Sequence, residues 1–141
     1  MSANEERLYR RYRSQRKEAR TELSGYQDTN QRLQHQVDRL NQVKRIVTEQ
    51  KFNFRPIWGA VSKIIDDSYG WKGNNYDNFQ SNGSYLKSDN NRYYNSIDDV
   101  LDAINDEITR LENQIYENEG LIGKLKSWIN TLTNRMENLF N

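Results

Sequence analysis

From Ile97 to Leu139 the apolar residues fall at steps that alternate four and three. The series is Ile97, Leu101, Ile104, Ile108, Leu111, Ile115, then polar Asn118, then Ile122, Leu125, Ile129, Leu132, Met136 and Leu139. A repeat of this kind marks a helix that buries one narrow stripe against another helix. The first part of the chain carries a similar seam. Tyr12, Ala19, Tyr26, Leu33, Leu40 and Val47 recur at sevens, with Leu23, Asn30 and Val37 between them. Asn30 on this line is suited to fixing register, and Lys44 weakens it.

Two long stripes account for a composition that a rounded core cannot. Only 34% of the residues are hydrophobic, against roughly 45–50% in ordinary globular domains. Nine tyrosines and three tryptophans argue against simple disorder, and a single proline with seven glycines suits long helices better than sheets. The expected fold is all-α, an elongated antiparallel helical hairpin or coiled coil forming one domain over residues 1–141. Its first arm spans 4–69, its turn 70–75 and its second arm 76–139.

Phe54-Arg55-Pro56 should kink or briefly break the first arm, because proline lacks the N–H that a helix interior needs. A second segment then follows from Pro56 to Ser68, with Ile57, Trp58, Val61, Ile64 and Ile65 on one face. Gly70 is placed to end it, and Asn74 and Asn75 to cap the next helix. Residues 74–96 contain seven asparagines, poor helix formers. Their apolar residues, Tyr76, Phe79, Leu86, Tyr93, Ile97 and Val100, follow a frame that does not join the downstream seam. The four-plus-four step Val100–Ile104–Ile108 reads as a stutter.

Charge supports a hairpin within one chain. Residues 1–56 hold 13 Lys+Arg and 7 Asp+Glu, and residues 57–141 hold 8 and 13. Folding back sets unlike halves side by side. The first twenty residues carry seven Arg/Lys and three Glu, and Lys124, Lys126 and Arg135 lie in the last eighteen. This basic end is a solvated surface or a dock for an acidic partner. Nucleic acid is the weaker reading of LYRRYRSQRKEAR, since the basic stretch is short and the rest of the chain is acidic.

The sequence offers no catalytic or cofactor chemistry, and the chain is expected to be non-enzymatic with no cofactor. It has no cysteine and one histidine, His35, which lies off the seam, so a nitrogen/sulfur metal site is not expected. Asp98, Asp99, Asp102 and Asp106 read as a solvated acidic face. No glycine loop suited to phosphate is present. No apolar run approaches a membrane span and no ordinary signal peptide is recognisable, so a cytoplasmic protein is expected, exported if at all without a cleavable signal.

Between the arms stands GWKGNNYDNF, residues 70–79. Trp71 is large enough to cover two helix ends, and Gly70 and Gly73 permit a tight reversal. Trp71 and Gly73, in a loop between two long helices, resemble the WXG superfamily of small type VII secretion proteins. The closer resemblance is to the YwqH-like family, of about this length, with Asp77 and Phe79 similar to the segment after the family's Trp-x-Gly. The architectural likeness covers nearly the whole chain. It implies a targeting factor or chaperone that binds the helical N-terminal domain of an LXG-type polymorphic toxin, often with a second small helical protein, for type VII export. No Tyr/Phe-x-x-x-Asp/Glu tail follows Ile122, so such a signal would sit on a partner. The pairs Tyr85/Asp89 and Tyr94/Asp98 are expected by chance.

The second-arm seam exceeds the apolar series of the first, which suggests partner helices. The toxin helix is expected along Ile115, Ile122, Leu125, Ile129 and Leu132, with Tyr76 and Phe79 near the turn. Two other classes compete: a self-assembling coiled-coil structural protein, and a nucleic-acid-binding helical adaptor.

Overall fold

The computed structural model describes residues 1–68 and 74–141, with 74–76 as backbone only. It contains two helices, α1 (Ala3–Asp67) and α2 (Asn74–Asn138). Side-chain pairs between them run in opposite chain directions: Arg16 with Thr133, Asn30 with Asn118, Lys51 with Asp98, and Ser68 with Gln80. The helices are antiparallel, and the all-α hairpin expected from the two seams is the fold. The expected turn residues Trp71 and Gly73 lie outside the described residues, as does the side chain of Tyr76. α2 begins at Asn74, within the stretch assigned to the turn.

By internal packing the chain divides into unit 1 (Met1–Asp38 with Thr109–Asn141) and unit 2 (Arg39–Ile108). Unit 1 has an aliphatic interior of Ala19, Leu33, Val37, Leu111, Leu132 and Met136. Its one buried polar side chain among the described residues is Asn118. The Asn118 amide N–H donates to Asn30 Oδ1 at 2.8 Å, and Asn30 donates to the Ile115 carbonyl at 3.3 Å. Asn30, expected on the seam, thus meets the one polar break in the opposite seam.

Unit 2 has a thinner apolar interior. Ile65, Ile104 and Ile108 are buried, together with Ser68 and Asn90. Gly83 is also buried, and a Cβ there would stand 2.9 Å from Ile65 Cγ2. The missing side chain is what admits Ile65. Ser68 Oγ donates to the Ile65 carbonyl at 2.6 Å, which satisfies a hydroxyl that burial would otherwise penalise. Phe54 packs edge-on against Tyr93 at 5.3 Å and lies 5.8 Å from Tyr94.

The break expected at Pro56 is absent: α1 is helical through it. Pro56 is exposed, so its ring projects into solvent, and the cost falls on the Phe52 carbonyl, which loses its i+4 donor. Packing of both flanks of α1 onto α2 outweighs that one missing bond.

The stutter is also absent. The covered positions of α2 keep one frame: Gly83, Asn90, Ile97, Ile104, Leu111, Asn118, Leu125 and Leu132 at sevens, continued by Leu139 just past the helix. Between them fall Lys87, Tyr94, Leu101, Ile108, Ile115, Ile122, Ile129 and Met136. Val100 is 48% exposed and Leu86 47%, so the apolar frame read upstream of Ile97 is real but points outward.

Candidate functional site: an exposed apolar flank of unit 2

On α1 the covered positions of unit 2 are Leu40, Lys44, Val47, Lys51, Phe54, Trp58, Val61 and Ile65. These again step by four and three. One residue before this seam runs a second line: Val43, Ile46, Gln50, Asn53, Ile57, Ala60 and Ile64. All seven are exposed, with Ile57 at 62% and Ile64 at 56%. Each residue of a helix is rotated about 100° from the last, given 3.6 residues per turn, so this line forms its own stripe beside the seam.

α2 repeats the arrangement. One residue before its seam stand Leu86, Tyr93 and Val100, at sevens and each about half exposed. An apolar groove of about 240 Å³ shows that the two stripes share one side of the unit. It is lined by Val47 and Gln50 from α1 and by Tyr93, Ser96, Ile97 and Val100 from α2. The opposite side is polar, where Lys51 pairs with Asp98 beside Arg55.

Charge is nearly missing from the apolar side. Between Val43 and Ile64 the α1 line carries none, and between Leu86 and Val100 the corresponding α2 positions include only Asp89. The α1 stripe is roughly 32 Å long at ~1.5 Å per residue. With two helix axes 8–10 Å apart, the face measures on the order of 300 Å². A patch of that size matches the largest exposed apolar patch of an ordinary monomer, which is often functional.

The partner residues expected from sequence lie along the unit 1 seam and near the turn. Leu132 is fully buried at 0% exposure, while Ile115, Ile122, Leu125 and Ile129 are half-buried on the seam of unit 1. Their apolar surface is largely spent on the hairpin itself. Asn30 and Gln34 from α1 meet Ile115 and Ile122 in one groove. Phe79 is half-buried, in the same frame as Leu86 and Tyr93. The flank residues of α1 were read as one face with Trp58 and Ile65; the structure splits that face into an inner and an outer stripe.

Unit 2 also holds two buried polar groups without partners. Asn90 Nδ2 and Tyr94 Oη have no hydrogen-bond partner, and both lie on the α2 seam of unit 2. Among the described residues no cluster of His, Cys, Asp and Glu could hold a metal ion. No helix among them is long and apolar enough to cross a membrane.

The YwqH-like family model matches residues 14–134. The chain belongs to the YwqH-like family. The matched span includes most of both seams, the Trp71-Lys72-Gly73 segment and the whole unit 2 flank. No curated protein and no solved structure matches the chain.

Proposed function

We propose that this YwqH-like protein is a non-enzymatic targeting factor or chaperone, related to the WXG superfamily. It binds the helical N-terminal domain of an LXG-type polymorphic toxin for type VII export. The observation that carries the reading is the apolar flank of unit 2, whose two lines carry one charge, Asp89. Leu86, beside the seam residue Lys87, stays half exposed with Tyr93 and Val100, so apolar surface is left outside the hairpin's own packing. Amphipathic helices recognise such a surface through anchors spaced by three and four residues. A second small helical protein of the secretion system can complete the assembly.

The test is an affinity pull-down of the tagged chain from its native cytosol, followed by mass spectrometry. The wild type should recover one large protein with a helical N-terminal domain, and a variant with Ile57, Ile64, Leu86 and Tyr93 changed to serine should not. A self-assembling structural protein would use the same flank for a second copy. It would recover only itself and would run as a stable homo-oligomer by light scattering.

A further inference from the structure

Unit 1 carries a second surface of different chemistry, on α1. Arg10, Arg13, Lys17 and Arg20 are exposed and recur at steps of three, four and three, so they form one stripe along one face. Arg13, Arg16, Lys17 and Arg20 line a single open concavity with Thr21, Ser24, Gly25 and Asp28. Arg16 also reaches across to α2, where its guanidinium donates to Thr133 Oγ1 at 3.3 Å. Lys126 lies one heptad before Thr133 and so faces the same side. Glu6 and Asp28 bound the stripe at its two ends; no acidic residue interrupts it. Neither the Lys51–Asp98 nor the Lys87–Asp66 salt bridge involves these cations.

We propose that this stripe docks an acidic helix. Its cations repeat at the helical period, which matches carboxylates three and four residues apart on a partner helix. The competing ligand is a single-stranded nucleic acid, for which tyrosines between the arginines would have to stack on bases. The structure directs those tyrosines elsewhere. Tyr9 is half-buried with its ring edge-on to Phe140 at 5.5 Å, and Tyr12 is half-buried beneath Arg135, 5.8 Å from the ring centre. Both are committed to the hairpin, and the cations stand without a stacking platform. The acidic-helix surface is separate from the unit 2 flank and does not depend on the toxin reading.

The experiment is a ¹⁵N chemical-shift titration of the full chain at low salt, which detects weak binding. The probe is an alanine-rich helical peptide with glutamates at the same three-four spacing. Controls are a peptide of the same composition with scrambled spacing and a 20-nucleotide oligothymidylate. The expected result is shifts confined to amides near residues 10–24 and 126–133, lost at high salt. Reversing Arg13, Lys17 and Arg20 to glutamate should weaken binding at least tenfold while circular dichroism stays unchanged. No shifts, equal binding of the scrambled peptide, unchanged binding of the reversed variant, or tighter binding of the oligonucleotide would each overturn the proposal.

Discussion

The contact between Asn30 and Asn118 allows a quantitative test of how the two helices are held in register. Asn118 is 8% exposed and Asn30 half-buried. Replacing Asn118 with leucine removes the 2.8 Å amide–amide bond and leaves Asn30 Oδ1 facing an apolar side chain. Losing one partner of a buried hydrogen bond costs about 1–3 kcal/mol. Asn30 keeps some access to water, so the lower half applies, about 1–2 kcal/mol. The added leucine offsets part of this by burying apolar surface. Asn118→Leu should therefore lower the melting temperature by a few degrees, roughly 2–6 °C for a chain of this size. Changing Asn30 to leucine as well removes the stranded group. The double variant should be at least as stable as the wild type, as when paired buried polar groups give way to hydrophobic ones. Urea denaturation of the four proteins, followed by circular dichroism, gives the cycle. If the double variant loses as much as the two single changes added together, the asparagines are not coupled across the hairpin and the reasoning fails.

Four further outcomes follow from the packing. Leu132→Ala, at a fully buried site, should cost about 2–5 kcal/mol in chemical denaturation. Gly83→Ala should destabilise by about 1 kcal/mol, the overpacking of a Cβ 2.9 Å from Ile65 exceeding its helix-propensity gain. Gly25→Ala, with nothing within 4 Å of the new methyl, should instead stabilise by about 0.5–1 kcal/mol, so opposite signs in one melting series check both. Pro56→Ala should raise stability by up to about 3 kcal/mol by restoring the donor to the Phe52 carbonyl, and a calorimetric decrease would show that the proline is required.

Much of the fold was legible because apolar spacing and packing agree where the seam is aliphatic. The α1 line from Tyr12 to Val47 and the α2 line from Ile97 to Leu139 both lie where their periods place them. The rest was hidden by unit 2, where the two disagree. Periodicity follows the apolar residues, so it selects Leu86, Tyr93 and Val100 and infers a stutter. The packed frame instead runs through Gly83, Lys87, Asn90 and Tyr94. Glycine there is selected by proximity to Ile65, and the lysines lay their aliphatic stems along the seam while Lys87 pairs with Asp66 and Lys51 with Asp98. A stripe one residue off the seam was the available signal for the flank: Val43, Ile46, Ile57 and Ile64 keep a strict four-three step if Gln50, Asn53 and Ala60 are counted.

The central claim is that this apolar flank, rather than the second-arm seam, receives the partner. It distinguishes two kinds of substitution. Aspartate at Ile122, Leu125 and Ile129 would disturb the hairpin and so abolish binding for an uninformative reason, whereas serine on the flank replaces no seam residue and removes one seam contact, that of Tyr93 with Phe54. The decisive measurement is isothermal titration calorimetry of the purified chain with the N-terminal domain of an LXG toxin. It compares the wild type, the four-serine flank variant (Ile57, Ile64, Leu86, Tyr93), and a control with Thr48 and Arg55 changed to alanine on the polar side. The account predicts at least a hundredfold loss of affinity for the flank variant and less than a threefold change for the control. Equal affinities for the wild type and the flank variant would contradict it.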